Sequence, residues 1–444
     1  MTITPSSEPM RPAAAIPEPV PEQRSKKDRF TVNRPLVPLE LAITGFASGA
    51  RGIGRAEDGR IVFVDYALPG ERVIAEVTAD HTDYIEATAV QVLEASPARV
   101  APPCEYFGKC GGCQLQHATY DEQLRLKTGI VREQFVRIGR MEPDAVDAVV
   151  RPMLGMDDPW HYRNHMRFTV RRDGEVGFMQ RGTHRFMRID ECAIALPRVN
   201  EILRQAQDRT MEARQLTIRV GEQTREEMIQ PRLRWRPKRA GPRPNSGQGS
   251  YSESLLGQRY RISGPAFFQV NTRQAERLVA LVIERVEAVS PRVVVDGYAG
   301  VGTFAVQFAS RVAQVVTIEE SAAAGDDAEV NLAGLGNVRR VVAKMEEALP
   351  GLDPSPDVVV IDPPRVGLAR VVVDAIIASA AKRVVYVSCD PATLARDVRL
   401  LRDAGFALSD VQPVDMFPQT QHIECVTTLD RTVPGDRVAS PPEA

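Results

Sequence analysis

The spacing of apolar residues changes character along this chain. Between residues 36 and 98 it alternates over short runs, "LELAITG", "RIVFVDY", "RVIAEVT" and "YIEATAVQVLE", parted by turns such as "SGARGIGRAEDG" and "LPGE". Alternation at period two marks half-buried strands, and several strands at this spacing predict a small OB-like β-barrel. Residues 150–262 mix strand-like runs ("HMRFTVRRDGEVGFMQR") with an amphipathic stretch ("PRVNEILRQAQDRT"), which predicts a central α+β domain. From about 265 a helical period (Ala275, Leu278, Val279, Val282, Val286) leads into "RVVVDGYAGVGTFAV". The runs "QVVTIEE", "DVVVIDPP" and "RVVYVSC" then alternate with Ala-rich helical segments. Strands apolar on both sides predict an α/β domain whose parallel sheet is covered on both faces. "FALSDVQPVDMFP" and "HIECVTTLDR" follow each other with no helix between them and predict an antiparallel closing hairpin. Residues 1–35, rich in Pro, Ser and charge, and residues 433–444 read as disordered tails.

Composition narrows the class. A chain of 444 residues has room for two to four domains at roughly 100–200 residues each. No apolar stretch approaches the ~18 residues of a membrane span, and the start lacks a signal-peptide core, so the expectation is a cytoplasmic protein with no membrane contact. Nothing implies a protein partner, and a monomer is expected. Net charge is only −2, yet residues 151–245 hold 20 Lys/Arg against 12 Asp/Glu. That local excess fits a nucleic-acid-facing region, although a solvated arginine-rich surface would look the same. The stretch 234–250, "RWRPKRAGPRPNSGQGS", reads as a basic flexible loop.

The candidate chemistry sits at strand ends. In "VVVDGYAGVGTFAV" a strand runs into Gly297, Gly300 and Gly302 and then a helix, so the backbone turns sharply and a helix N-terminus faces the loop. Glu319 ends the next strand, where an acidic side chain suits a ribose diol. With no Walker lysine, glycine loop plus acid favours an adenosine-containing cofactor, most economically S-adenosyl-L-methionine; a plain strand–helix turn is the alternative. Asp362-Pro363-Pro364-Arg365 ends "VVVIDPPRVGL", its prolines fixing the backbone so that Asp362 faces the crevice. Arg365 could hold a phosphate or simply face solvent. Cys389 ends "RVVYVSC" ahead of Pro391, at the same sheet edge as Asp362. It is either a small buried residue or a nucleophile. Glu424 lies in an otherwise apolar terminal strand. Such a carboxyl is either an edge-strand charge or a proton acceptor whose basicity burial would raise. Cys104, Cys110 and Cys113 are spaced C-x5-C-x2-C, and Cys192 follows some eighty residues later. Four thiolates in a 3+1 pattern fit an iron–sulfur cluster better than zinc, which stays open as an alternative.

As an ordered set, "CEYFGKCGGC", "DEC" at 190–192, "YRNHMRF", "FFQVNTRQAERL", "DGYAGVGTF", "DPPRVGL", "SCDPATLARD" and "HIECVTTL" resembles the uridine-C5 RNA methyltransferases, which make 5-methyluridine in ribosomal and transfer RNA. The resemblance runs from residue 36 to 431. It implies a TRAM-type barrel (36–98), a central domain with an iron–sulfur cluster and an RNA-facing region (99–262), and a Rossmann-like class I methyltransferase domain (263–432) with a mostly parallel seven-stranded sheet. It further implies Gln269, Tyr298, Glu319 and Asp362 at S-adenosyl-L-methionine, Cys389 as nucleophile, Glu424 as base, and Cys104, Cys110, Cys113 and Cys192 on a [4Fe–4S] cluster. The implied substrate is RNA, 23S rRNA ahead of tRNA. Ala299, Thr303 and Asp390 depart from the family pattern, and Asp390 sets a carboxylate beside the nucleophile. Two other readings stay open: an N-methyltransferase working through Asp362-Pro363-Pro364, and a non-catalytic RNA-binding iron–sulfur protein.

Overall fold

A computed structural model describes residues 37–237 and 240–432, the side chains of 322 and 323 excepted. The tails expected to be disordered, 1–35 and 433–444, lie outside the described residues. By contact pattern the chain forms two units: Met1–Gln123 with Met179–Met187 and Gln419–Gln421, and the remainder.

In the first unit the alternating runs form six strands in the order Leu39–Ala42, Arg72–Asp80, Tyr84–Glu94, Ile61–Asp65, Arg51–Arg55, Gly45–Ala47. Their inward residues, among them Leu41, Val62, Val64, Val73, Ile85 and Ala87, make one core. Three register shifts between Arg72–Asp80 and Tyr84–Glu94 add the local twist that curls such a sheet. The backbone passes very close at Gly52, where a Cβ would lie 2.8 Å from Ile43 Cγ2 and 2.9 Å from the Ala67 carbonyl oxygen.

The second unit holds a seven-stranded sheet in the order Val338–Val341, Gln314–Ile318, Val293–Gly297, Val358–Ile361, Arg383–Ser388, Glu424–Arg431, Phe406–Val414. The first five strands are parallel, Glu424–Arg431 is antiparallel to both its neighbours, and Phe406–Val414 runs in the direction of the first five. Each central strand is buried on both faces, which is why the sequence reads as unbroken Val and Ile. The helix Thr272–Glu287 buries Leu278, Val279, Val282 and Val286 in one core with Val294, Val358, Val360, Val385 and Val387. Fully buried side chains of this kind contribute about 1.5–3 kcal/mol each. Asn271 caps that helix by accepting the Gln274 N–H.

A smaller antiparallel sheet in the same unit carries, in order, Glu227–Gln230, Gln215–Val220, His165–Val170 and Val176–Met179. The helix Pro197–Ala206 buries Val199, Ile202 and Leu203. The stretch 234–250 is not wholly loop: Arg234–Trp235 pairs with Thr210–Met211, and Ser250–Leu255 begins a hairpin with Gln258–Ser263.

Because a methyl at position 52 has no space to enter, Gly52→Ala is expected to destabilise the first unit by about 1–3 kcal/mol. Urea denaturation followed by fluorescence checks this; an unchanged midpoint would mean the strands separate at little cost.

Candidate active site

The glycine loop is built by tension between two acids. After Val293–Gly297 the chain takes positive φ at Tyr298 (62°), Gly300 (55°) and Gly302 (85°), and Gly302 opens the helix Thr303–Phe308. Buried Asp296 pulls that helix inward by accepting the Ala305 N–H at 2.9 Å, and burial pushes its carboxyl up to about 8. From the next strand Glu319 accepts the Gly300 N–H at 2.9 Å and the Ser321 N–H at 2.7 Å. Each carboxylate oxygen keeps a second lone pair, so Glu319 can still accept from a diol.

A cavity of about 450 Å³ opens at this sheet edge, lined by Tyr298, Ile318, Glu319, Glu320, Lys344, Met345, Glu346, Pro364, Leu368 and Val372 among others. Apolar Ile318, Met345, Leu368 and Val372 with a polar rim suit a flat heterocycle carrying a sugar. Burial pushes the Tyr298 hydroxyl up to about 12. Of the residues expected at the cofactor, Tyr298 and Glu319 line this cavity; Asp362 and Gln269 are not among its lining residues. Asp362 sits one step from it, at the end of Val358–Ile361, where burial pushes its carboxyl up to about 7. Gln269 is half-buried on the loop before Thr272–Glu287, its carbonyl accepting from Asn164 Nδ2 at 3.2 Å.

The wall formed by Val366–Leu368 is clamped from the helix Pro391–Asp403. Fully buried Asp397 accepts the Leu368 N–H at 2.8 Å and the Tyr386 hydroxyl at 2.9 Å. Arg396 donates to the carbonyls of Val366 (3.0 Å) and Leu368 (3.2 Å). Gly367 has φ of 72°, and a Cβ there would lie 2.5 Å from Asp397 Oδ2. Neither Arg396 nor Asp397 was singled out in the sequence, because a polar residue on a helix reads as solvent-facing until its partner some thirty residues away is known; Tyr386 read simply as part of an apolar strand.

The thiol and the carboxyl meet through strand register. Ser388 pairs with Cys425 across the antiparallel pair, so one further step sets Cys389 opposite Glu424. Cys389 is half-buried and Glu424 is 6% exposed. Burial first, then the Glu424 charge, push the Cys389 thiol up to about 11; the Arg365 guanidinium, hydrogen-bonded to it, pulls the other way. Glu424 is itself raised well above the usual carboxylate range by burial and by Asp362. Arg365 also reaches His422 Nδ1, and burial with the Arg365 charge pushes that imidazole down to about 4, so it is neutral. Arg365 thus belongs to the thiol's surroundings. Asp390 spends its carboxylate capping Pro391–Asp403, accepting from Ala392 N at 3.0 Å and Thr393 N at 2.9 Å. The charges that raise the thiol are Glu424 and Asp362.

Phe267, two residues before Gln269, is 71% exposed. The pair "FF" hides it in the sequence, since one ring faces the core (Phe268) and the other does not. The cysteine cluster is less developed. Cys104, Cys110 and Cys113 belong to the first unit and Cys192 to the second. The Gly112 N–H donates to Cys110 Sγ at 3.4 Å, and burial and the Cys104 charge raise the Cys110 thiol. Among the described residues no three or more His, Cys, Asp or Glu are gathered so as to hold a metal ion, and no catalytic step below runs through a cluster.

A doubly covered, mostly parallel sheet with a glycine loop, an acid on the second strand and a cavity at its carboxyl edge defines a methyltransferase of the class I α/β type. The comparisons carry this further. The model of the tRNA (Uracil-5-)-methyltransferase family matches residues 353–432, and the TRAM domain matches 39–90. An uncharacterized RNA methyltransferase of Thermosynechococcus vestitus is 34% identical over 448 residues, 88% of this chain and 97% of the relative. One of Gloeobacter violaceus is 34% identical over 462 residues, 90% of this chain and 100% of the relative. Among solved structures, the Pyrococcus abyssi tRNA (uracil-54, C5)-methyltransferase in complex with S-adenosyl-L-homocysteine is similar with a TM-score of 0.66 and 25% identity, covering 88% of this chain and 99% of that one. The chain belongs to the RNA uracil-5-methyltransferase family and carries a TRAM domain. No helix among the described residues is long and apolar enough to cross a membrane.

Gly367→Ala forces a methyl against the Asp397 carboxylate in a backbone region that favours glycine, and so displaces one wall of the cavity. Affinity for S-adenosyl-L-homocysteine, measured by calorimetry, is expected to fall about tenfold, or about 1.4 kcal/mol; unchanged affinity would place the ligand elsewhere.

Proposed function

We propose that the protein transfers a methyl group from S-adenosyl-L-methionine to C5 of a uridine in RNA, 23S rRNA first and tRNA as the alternative. The observation that carries this reading is the facing placement of Cys389 and Glu424, with the thiol hydrogen-bonded to Arg365, the residue between Pro364 and Val366 of the cavity wall. An N-methyltransferase working through Asp362-Pro363-Pro364 would need neither group. The cavity residues Tyr298 and Glu319 would hold the cofactor, with Asp362 and Gln269 at its reactive end; when bound, it supplies an electrophilic sulfonium methyl.

C5 of uridine is a weak nucleophile. The Cys389 thiolate, stabilised by Arg365, adds to C6 and moves electron density to C5, which takes the methyl group. Glu424 then removes the C5 proton, the ring double bond re-forms, and Cys389 leaves as thiolate. The target base has to leave its stack, and exposed Phe267 offers a face to receive it. The TRAM barrel and the basic central region supply RNA contacts. We place the enzyme in the cytoplasm as a monomer, divided functionally at 36–98, 99–262 and 263–432. Cys104, Cys110, Cys113 and Cys192 are offered as ligands of a [4Fe–4S] cluster, with zinc the alternative, on the strength of their spacing and the N–H bonded to Cys110.

Mapping 5-methyluridine in total RNA from cells with and without the gene identifies the substrate. Cys389→Ala is expected to lose all turnover, by a factor above about 10⁴. Glu424→Gln is expected to methylate but to retain RNA covalently as a slow band on denaturing gels; full turnover by Cys389→Ala would instead point to amine methylation. With the thiol near 11, the reactive thiolate is the minor form at neutral pH, so kcat/KM is expected to rise about tenfold per pH unit from 7 to 9. A plateau below pH 8 contradicts that assignment. Anaerobically purified protein is expected to contain about four iron atoms per chain; stoichiometric zinc with no iron would overturn the cluster.

A further inference from the structure

The small antiparallel sheet has one apolar and one polar face. Met166, Phe168, Val170, Leu216 and Ile218 are buried on the first. On the other, register sets Thr217 between Gln230 and Arg167, Gln215 opposite Thr169, and Arg219 opposite His165. No carboxylate stands at any of these positions on the polar face. One end of it is covered. Arg219, 7% exposed, donates to the carbonyls of Ala266 (2.9 Å), Gly264 (3.1 Å) and Ser263 (3.4 Å), and so holds down the loop that runs straight into Phe267 and Gln269. The other end is open: Arg167 and Gln215 are exposed, and Arg163, Thr169, Thr217 and Gln230 are half-buried.

Arg219 hydrogen-bonds Tyr251 and feels the Asp327 carboxylate. Yet among the described residues none of Arg163, Arg167 and Arg219 is held in an ion pair, whereas arginines nearby in sequence such as Arg171, Arg188 and Arg198 each meet an acid. The field is felt by His165, pushed down to about 3 by burial and by Arg219, Arg163 and Arg167. A sheet face with guanidinium groups between hydroxyls and amides, and no carboxylate at the paired positions of its open end, matches a polyanion whose charges recur along a strand.

We propose that this face is the track for the RNA backbone adjoining the reactive uridine, with Arg167 and Arg163 on its phosphates and Arg219 as the positioning residue that fixes the base-receiving loop beside it. The inference rests on the RNA methyltransferase reading but not on which atom is methylated. The test uses polyuridylate and a salt series in filter binding with the full chain. Arg167→Gln is expected to weaken binding about threefold to tenfold and to lower the slope of log K against log salt by about one. Arg163→Gln with Arg167→Gln should lower it by about two. Affinity for S-adenosyl-L-homocysteine and the melting temperature should hold, and the paired-arginine control Arg171→Gln should leave the slope unchanged. An unchanged slope in Arg167→Gln, or an equal drop in Arg171→Gln, overturns the track and leaves this face to a different partner. Failure of the C5 assignment would show separately, as RNA product without 5-methyluridine while the salt slopes still respond to Arg167.

Discussion

One pairing sets the geometry of the site: Ser388 against Cys425, where an antiparallel strand joins the edge of a parallel sheet. A parallel neighbour would bring to this edge the residues at its own carboxyl end. The reversed strand instead brings its beginning, Glu424, to the place where Arg383–Ser388 ends. A thiol and a carboxyl thirty-five positions apart thus face each other beside the Arg365 guanidinium. Slipping the register by one residue would turn Glu424 to the other side of the sheet.

That placement sets an electrostatic problem. Three acids, Asp362, Glu424 and the thiol, stand in a poorly solvated corner with one guanidinium, that of Arg365. Burial first raises all three groups above their ordinary values, and repulsion that a single cation cannot offset adds to it for the thiol and Glu424. The clamp by Arg396 and Asp397 matters for this reason: it fixes the loop from which Arg365 reaches the sulfur. The polar clamp under Arg365 and the carbonyl cradle of Arg219 use the same device, an interior charged side chain spent on backbone groups to hold a loop whose exposed residues do the work.

What could be read from the sequence divides along physical lines. The central strands were legible because burial on both faces leaves no polar position, and the glycine loop because positive φ selects glycine at 300 and 302. Cys389 could be placed at a strand end and Glu424 only within a terminal strand, which in fact begins at it; the register joining them could not be read, since it depends on a pairing across thirty-five residues. Asp397 and Arg219 were invisible for a different reason. Each is a charged residue at an ordinary position on a helix or strand, and only the fold shows that it is buried on backbone partners. Asp390 looked like a neighbour that would tune the thiol, yet its carboxylate serves the helix N-terminus, where two N–H groups take up its charge. The returns of 179–187 and 419–421 to the first unit likewise carry no local signal.

The proposed chemistry draws on these charges. At pH 7 a thiol near 11 is ionised in only about one molecule in ten thousand, whereas Asp362, near 7, carries about half a charge. Addition to C6 removes the sulfur's charge altogether and spreads it into the uracil ring, away from Glu424. Burial and the Asp362 charge hold Glu424 well above the ordinary carboxylate range, so that once ionised it is a strong base for the C5 proton. A site that held both anions permanently would repel the electron-rich adduct. A site with ordinary pKa values would lack a base strong enough for a carbon-bound proton. Burial of Glu424 opposite Cys389 therefore does more than bring two groups together: it gives the second step of the proposed reaction a stronger base than an exposed carboxylate would be.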